Sequence, residues 1–121
     1  GAGLKIRTMP IAAHDPWVAR TMGLAHFVAL AAGSTLARSG LELEALDGLA
    51  STSFRRLLGL VAPILDQPSD LTLPIQTKNP ATKNLLALFA EEVDAWRRAV
   101  ANESPAAFES MLRATRRSLG R

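Results

Sequence analysis

The sequence predicts an all-α fold: a compact bundle of about five to six helices with a long central helix near the N-terminus, preceded by one short strand. Three observations carry this expectation. Apolar residues recur at three- and four-residue steps over most of the chain, the period of a helix face. Pairs suited to opening a helix recur at Asp15–Pro16, Asn79–Pro80 and Ser104–Pro105. Strand-like alternation is confined to one place, Leu4, Ile6 and Thr8 against Lys5, Arg7 and Met9, and is ended by Pro10. One strand is not stable alone, so its partner is expected outside this chain.

The first helix is expected to start at His14–Asp15–Pro16, with Asp15 as cap and Pro16 in the first turn. It should run to Gly40, a residue suited to a helix C-terminus. Its middle is apolar nearly all round (Met22, Leu24, Phe27, Val28, Leu30), which predicts burial on several sides. Gly23, Ala25, Ala29 and Gly33 add small residues that let another backbone come close, either within the bundle or across a subunit interface. Leu43, Leu46 and Leu49 suggest a short amphipathic helix, weakened by Gly48. Ser51, Thr52 and Ser53 offer alternative caps for a helix through Phe54, Leu57, Leu58, Val61 and Leu65, which Pro63 should kink or end early. Ser69–Asp70 begins another short helix, expected to stop near Pro74. Leu85, Phe89, Val93, Trp96 and Val100 then mark a long helical face, and Phe108, Met111, Leu112, Thr115 and Leu119 the final one.

Composition narrows the function classes. The 121 residues are 48% hydrophobic and carry a net charge of +3, as in a globular domain of ordinary size. The stretch from Met22 to Gly33 is too short to cross a bilayer, so no membrane partner is expected. There is no cysteine, which excludes disulfides and Cys-ligated zinc. No charged leader with an apolar stretch is visible, and together these absences point to a cytoplasmic protein. Basic residues gather at the end, at Arg113, Arg116, Arg117 and Arg121. With no tyrosine and no long basic run they read as a solvated helix face, so no nucleic-acid partner is expected either.

Three places could carry chemistry. His26 is the one strongly polar side chain between Met22 and Gly33. A buried imidazole needs hydrogen-bond partners, so it is either a satisfied core histidine or a contact in a ligand pocket. His14 lies beside Asp15 at the helix entrance, twelve residues from His26. That is about 18 Å along a helix, too far for the two to share a metal. At Ser53, Arg55 and Arg56, hydroxyls, free helix N–H groups and two guanidiniums meet within one turn. This suits a small carboxylate or phosphate, though a plain serine cap with solvated arginines explains it too. No glycine-rich phosphate loop and no local triad or zinc motif is present, so no metal is expected.

Several segments resemble the C-terminal domain of the prephenate dehydrogenase family, which includes arogenate dehydrogenases. His14–Asp15, Val18–Ala19 and Gly23–Leu24–Ala25–His26–Phe27 are similar to that family's "HD…VA…GL-x-HF" helix. Ser51 to Arg55 resembles its "S-x-S-F-R" helix start, and Ile75–Gln76 with Asn79–Pro80 its "IQ-x-x-NP" pattern. The closing helix with Phe108 and an arginine-rich end fits as well. The resemblance implies that residues 1–11 end a nucleotide-binding domain or linker, and that the short strand is left over from a missing Rossmann domain. Residues 12–121 are then a helical dimerisation and substrate-pocket domain. It further implies a homodimer, prephenate or arogenate as the small carboxylate substrate, and NAD or NADP bound outside this chain. The reaction implied is the oxidative decarboxylation of tyrosine biosynthesis, with no catalytic residue in this fragment. His26, Arg55, Arg56 and Ser53 match substrate-pocket positions, with His14 and Gln76 at a hinge or the pocket edge. One departure stands out. Many family members carry a substrate-binding arginine further along the third helix, where this chain has Gly59 and Pro63. Two other readings compete: a stand-alone ligand-binding or regulatory module, and a small chorismate mutase-like enzyme.

Overall fold

A computed structural model describes residues 11–42 and 51–121. The described residues are helical and contain no strand. The strand expected over Leu4–Met9 and the short helix expected around Leu46 lie outside them. One continuous helical run comes first, made of α1 (Ile11–Val18), a π-helical segment (Ala19–Gly23) and α2 (Leu24–Arg38). It is followed by α3 (Thr52–Leu65), α4 (Ser69–Thr77), α5 (Pro80–Ala101) and α6 (Pro105–Ser118). Two units divide the chain, one up to Leu86 and one from Ala87 onward.

The first run departs from expectation at its start. His14, Asp15 and Pro16 lie inside the helix, which begins no later than Ile11. Ala12 and Ala13 are the best helix formers, and they extend the helix ahead of the proline. Pro16 is therefore an interior proline, without an N–H to offer. One turn later the backbone winds as a π-helix, with the Leu24 N–H donating to the Ala19 carbonyl five residues back. The Thr21 hydroxyl donates to the Trp17 carbonyl at 3.0 Å, drawing that carbonyl toward a side chain. The end is as expected: Gly40 takes the left-handed conformation, φ 79°, that glycine adopts freely.

Both later prolines are tolerated better than expected. Pro63 sits in the last turn of α3, which closes two residues beyond it at Leu65. α4 passes through Pro74 and ends at Thr77, with the Lys78 N–H donating to the Pro74 carbonyl at 2.9 Å. A proline removes one ladder donor, and in so short a helix a tertiary contact outweighs it. That contact comes from Gln76, described below.

The core of the first unit lies between α2 and α3, where Ala29, Val61 and Ile64 are buried and Leu30, Ala32 and Leu57 pack around them. Gly33 makes this packing possible. A Cβ there would stand 3.0 Å from Val61 Cγ1 and 3.3 Å from Leu65 Cδ1. The C-terminal end of α2 (Leu36, Ala37), with Leu41 just beyond it, shares a groove with Leu58, in the first half of α3. The two helices accordingly run antiparallel. The middle of the first run is less enclosed than its apolar sequence predicts: His26, Phe27, Val28 and Leu30 are half-buried, and Met22 is exposed.

In the second unit, Trp96 on α5 meets Phe108 on α6 edge-to-face, with ring centroids 5.4 Å apart. Ser104 caps α6, its hydroxyl accepting from the Ala107 N–H, with Pro105 in the first turn as expected. Asp94 accepts from Arg97 at 2.7 Å and lies 3.3 Å from Arg98. The Arg97 hydrogen bond, then the Arg98 charge, holds its carboxyl below the usual carboxylate range. The pair is exposed and screened by solvent, so its effect on stability is small. What there is exists above the ordinary carboxylate range and is lost as pH falls through the lowered value.

Gly33→Ala should destabilise the fold by about 1–3 kcal/mol, because Val61 is buried and β-branched and gives way poorly. Urea unfolding measures this directly, and an unchanged midpoint would contradict the close α2–α3 approach.

Candidate functional site

The side chains singled out in the sequence fall into two groups at different ends of the first unit. The first surrounds Gly23. Gln76, on α4, donates from Nε2 to the Gly23 carbonyl at 3.1 Å, across 53 residues of sequence. Asn79 donates from Nδ2 to the Asp15 carbonyl at 2.7 Å. Its own Oδ1 accepts from the Ala81 N–H at 3.0 Å, so the same amide caps α5 ahead of Pro80. Thr82, fully buried, fills the space left by the missing side chain of Gly23: a Cβ there would lie 3.0 Å from Thr82 Oγ1. Helices α4 and α5 thus close on the π-helical turn, with Asn79 between them holding the turn before it.

His26 follows Gly23 by three residues, about one turn along the same helix. It is half-buried, and its Nδ1 is shielded from solvent without a hydrogen-bond partner among the described residues. Gln76 Oε1 and Thr82 Oγ1 share that condition. Buried polar atoms are ordinarily satisfied, and Gln67 Oε1 is a further exception among the described residues. His14 lies well before this cluster and is exposed, with its Nδ1 3.7 Å from the Asp15 carboxylate.

The second group is the start of α3. Ser51 is the residue that caps it, its Oγ accepting from the Phe54 N–H at 3.1 Å. Ser53, Arg55 and Arg56 are exposed in the first turns, and neither guanidinium has an ionic partner among the described residues. His26 lies seven residues before Gly33, and Arg55 six before Val61, which packs on Gly33. On antiparallel helices these offsets add, so the imidazole and the cationic turn are on the order of 20 Å apart along the axes.

Sequence reasoning had placed Gln76 at a hinge or pocket edge, and missed Asn79 and Thr82 as its companions. The "IQ-x-x-NP" spacing was the available signal, since Gln76 and Asn79 are three residues apart and meet the same side of a neighbouring helix. No group of three or more histidines or carboxylates among the described residues is placed to hold a metal ion. No described helix is long and apolar enough to cross a membrane.

Comparison with known proteins bears on this arrangement. Residues 10–114 match the family model described as "Prephenate dehydrogenase, dimerization domain", which spans both groups of residues. The chain belongs to that family. It is also similar to a "Probable arogenate/prephenate dehydrogenase" of Methanocaldococcus jannaschii, 23% identical over 118 residues. The alignment covers 98% of this chain and 26% of the relative, so the chain spans about a quarter of that protein's length. No solved structure matches with comparable significance. Membership of a dimerization-domain family gives context to a groove of about 240 Å³ between α2 and α3. Leu36, Leu58, Val61 and Leu65 line it, and Leu65 remains 54% exposed.

The two serines at the start of α3 separate by experiment. Ser51→Ala should lower stability by about 1 kcal/mol through the lost cap, whereas Ser53→Ala leaves it unchanged. Equal losses in thermal unfolding would mean that the cap has been misassigned.

Proposed function

We propose that this chain is the subunit-joining and substrate-pocket part of a prephenate or arogenate dehydrogenase. On this reading it serves the NAD- or NADP-dependent oxidative decarboxylation of tyrosine biosynthesis in the cytoplasm, and the cofactor and the catalytic base belong to parts of the enzyme outside this chain. The observation that carries the proposal is the dimerization-domain match over residues 10–114, joined to an apolar groove on the α2–α3 pair. Exposed apolar area of this kind is favourable to bury against a second copy. Trp17, Met22, Leu71 and Leu73 add further exposed apolar side chains in the same unit.

The substrate assignment rests on His26 and on the cationic turn at Ser53, Arg55 and Arg56. Prephenate carries two carboxylates, and a helix start flanked by guanidiniums is suited to one of them. In a single copy the imidazole and that turn are about 20 Å apart on helix geometry, so a pocket that uses both is built from two copies. Gly59 and Pro63 stand where the family resemblance puts a substrate arginine, so Arg55 or Arg56 supplies the charge, another residue holds the carboxylate, or the substrate differs. An arginine pairs with a carboxylate through two parallel bonds, and no uncharged residue replaces that geometry.

Light scattering at tens of micromolar should show a dimer. Leu65→Glu, which places a charge in the groove without touching a fully buried site, should raise the dimer dissociation constant about tenfold or more. A stable monomer in the unsubstituted chain would defeat the subunit-joining role. In the full-length enzyme, His26→Ala should lower kcat/KM about 10- to 100-fold with folding intact, the worth of a hydrogen bond to a charged group. Unchanged kinetics for both His26→Ala and Arg55→Ala would remove the pocket assignment.

A further inference from the structure

We infer that Gln76 and Asn79 are positioning residues that hold the π-helical turn of the first helix and thereby set the direction of His26. The role of His26 as a substrate contact is the reading proposed above, and this inference rests on it. The two side-chain amides are three residues apart at the α4–α5 junction, and both donate to backbone carbonyls of the first run. Their targets, Asp15 and Gly23, bracket the π-helical residues Ala19–Gly23. Gln76 reaches the last residue of that segment, and Asn79 a residue one turn before its first.

A π turn takes up one residue more than an α turn. Every side chain beyond it is therefore rotated by about 100° relative to an uninterrupted α-helix. His26 lies just beyond it, so the winding at Ala19–Gly23 decides which neighbours the imidazole meets. Such winding is rare and occurs mostly as single turns inside α-helices, frequently at functional sites. The surroundings here are specific. Gly23 is pressed against Thr82, which is fully buried, so this turn cannot move outward into a side chain's worth of space. Gln76 then fixes the Gly23 carbonyl from the α4 side, with the donor end of its amide necessarily toward the carbonyl. Its other end, Oε1, is buried without a partner among the described residues, like His26 Nδ1. A glutamine placed only for stability has no need to bury an acceptor unsatisfied.

The chain suits a direct test, because His14 and His26 are its only two histidines. Ring-nitrogen NMR resolves both imidazoles, and amide hydrogen exchange reads the Leu24 N–H that closes the π turn on Ala19. In the unsubstituted chain, the Gln76 and Asn79 side-chain amide protons should be protected from exchange. Gln76→Met keeps the side-chain length and removes the donor. It should shift the His26 ring resonances, leave those of exposed His14 in place, and speed Leu24 exchange about tenfold or more. Asn79→Ala should speed Leu24 exchange as well. If Gln76→Met fails to fold, Gln76→Asn, which keeps the amide but draws it back by one methylene, is read in the same way. Unprotected side-chain amides, or an unmoved His26 signal in a folded variant, would overturn the inference. Neither readout needs a substrate, so failure of the dehydrogenase reading is seen separately. In the full-length enzyme, Gln76→Met should raise KM in parallel with His26→Ala. A loss on His26→Ala with none on Gln76→Met would overturn the positioning role, whereas no loss on either would overturn the substrate reading alone.

Discussion

Close approach at two glycines is the constraint on which the first unit depends. At Gly33 the α2 backbone comes within van der Waals distance of Val61 and Leu65, and at Gly23 within the same distance of Thr82. Side chains at either position would push the neighbouring helix away and open the interior. Because the interior is so small, with Ala29, Val61 and Ile64 at its centre, these two approaches matter more than in a larger core. They also fix the long first run at two points ten residues apart, leaving the helix between them, with His26, pinned at both ends.

Small residues of the first helix serve packing inside one copy. Gly23, Ala29 and Gly33 are consumed within the chain, against α5 and α3. The apolar side chains left over, Leu36 and Met22 on the first run and Leu58 and Leu65 on α3, border the exposed groove or lie on the surface. Leu65 touches the space at Gly33 while remaining largely exposed.

The polar chemistry follows from the same geometry. Helix α4 is short and interrupted by Pro74, and its own ladder is a weak reason for it to exist. Its hydrogen bond from Gln76 to Gly23 ties it to the first run, and Asn79 repeats the tie one turn later. Ser51, by contrast, serves its own helix and leaves the Arg55 and Arg56 side chains in solvent at the far end of the α2–α3 pair. Two sites that look alike in sequence, each a polar cap beside a helix, therefore do different physical work.

By itself the sequence determined much of the local structure. The helical periods, the caps at Ser51, Asn79 and Ser104, the left-handed stop at Gly40, and the family pattern from His14 to Pro80 were all legible in it. These depend on interactions within a few residues, which the order of residues states directly. Only the tertiary structure decided the rest: Pro16 inside a helix, the π winding after it, Gln76 and Asn79 reaching back over more than fifty residues, and His26 set far from Arg55. The reaches of Gln76 and Asn79 are contacts between segments distant in the chain, whose energy exists only once the helices have met.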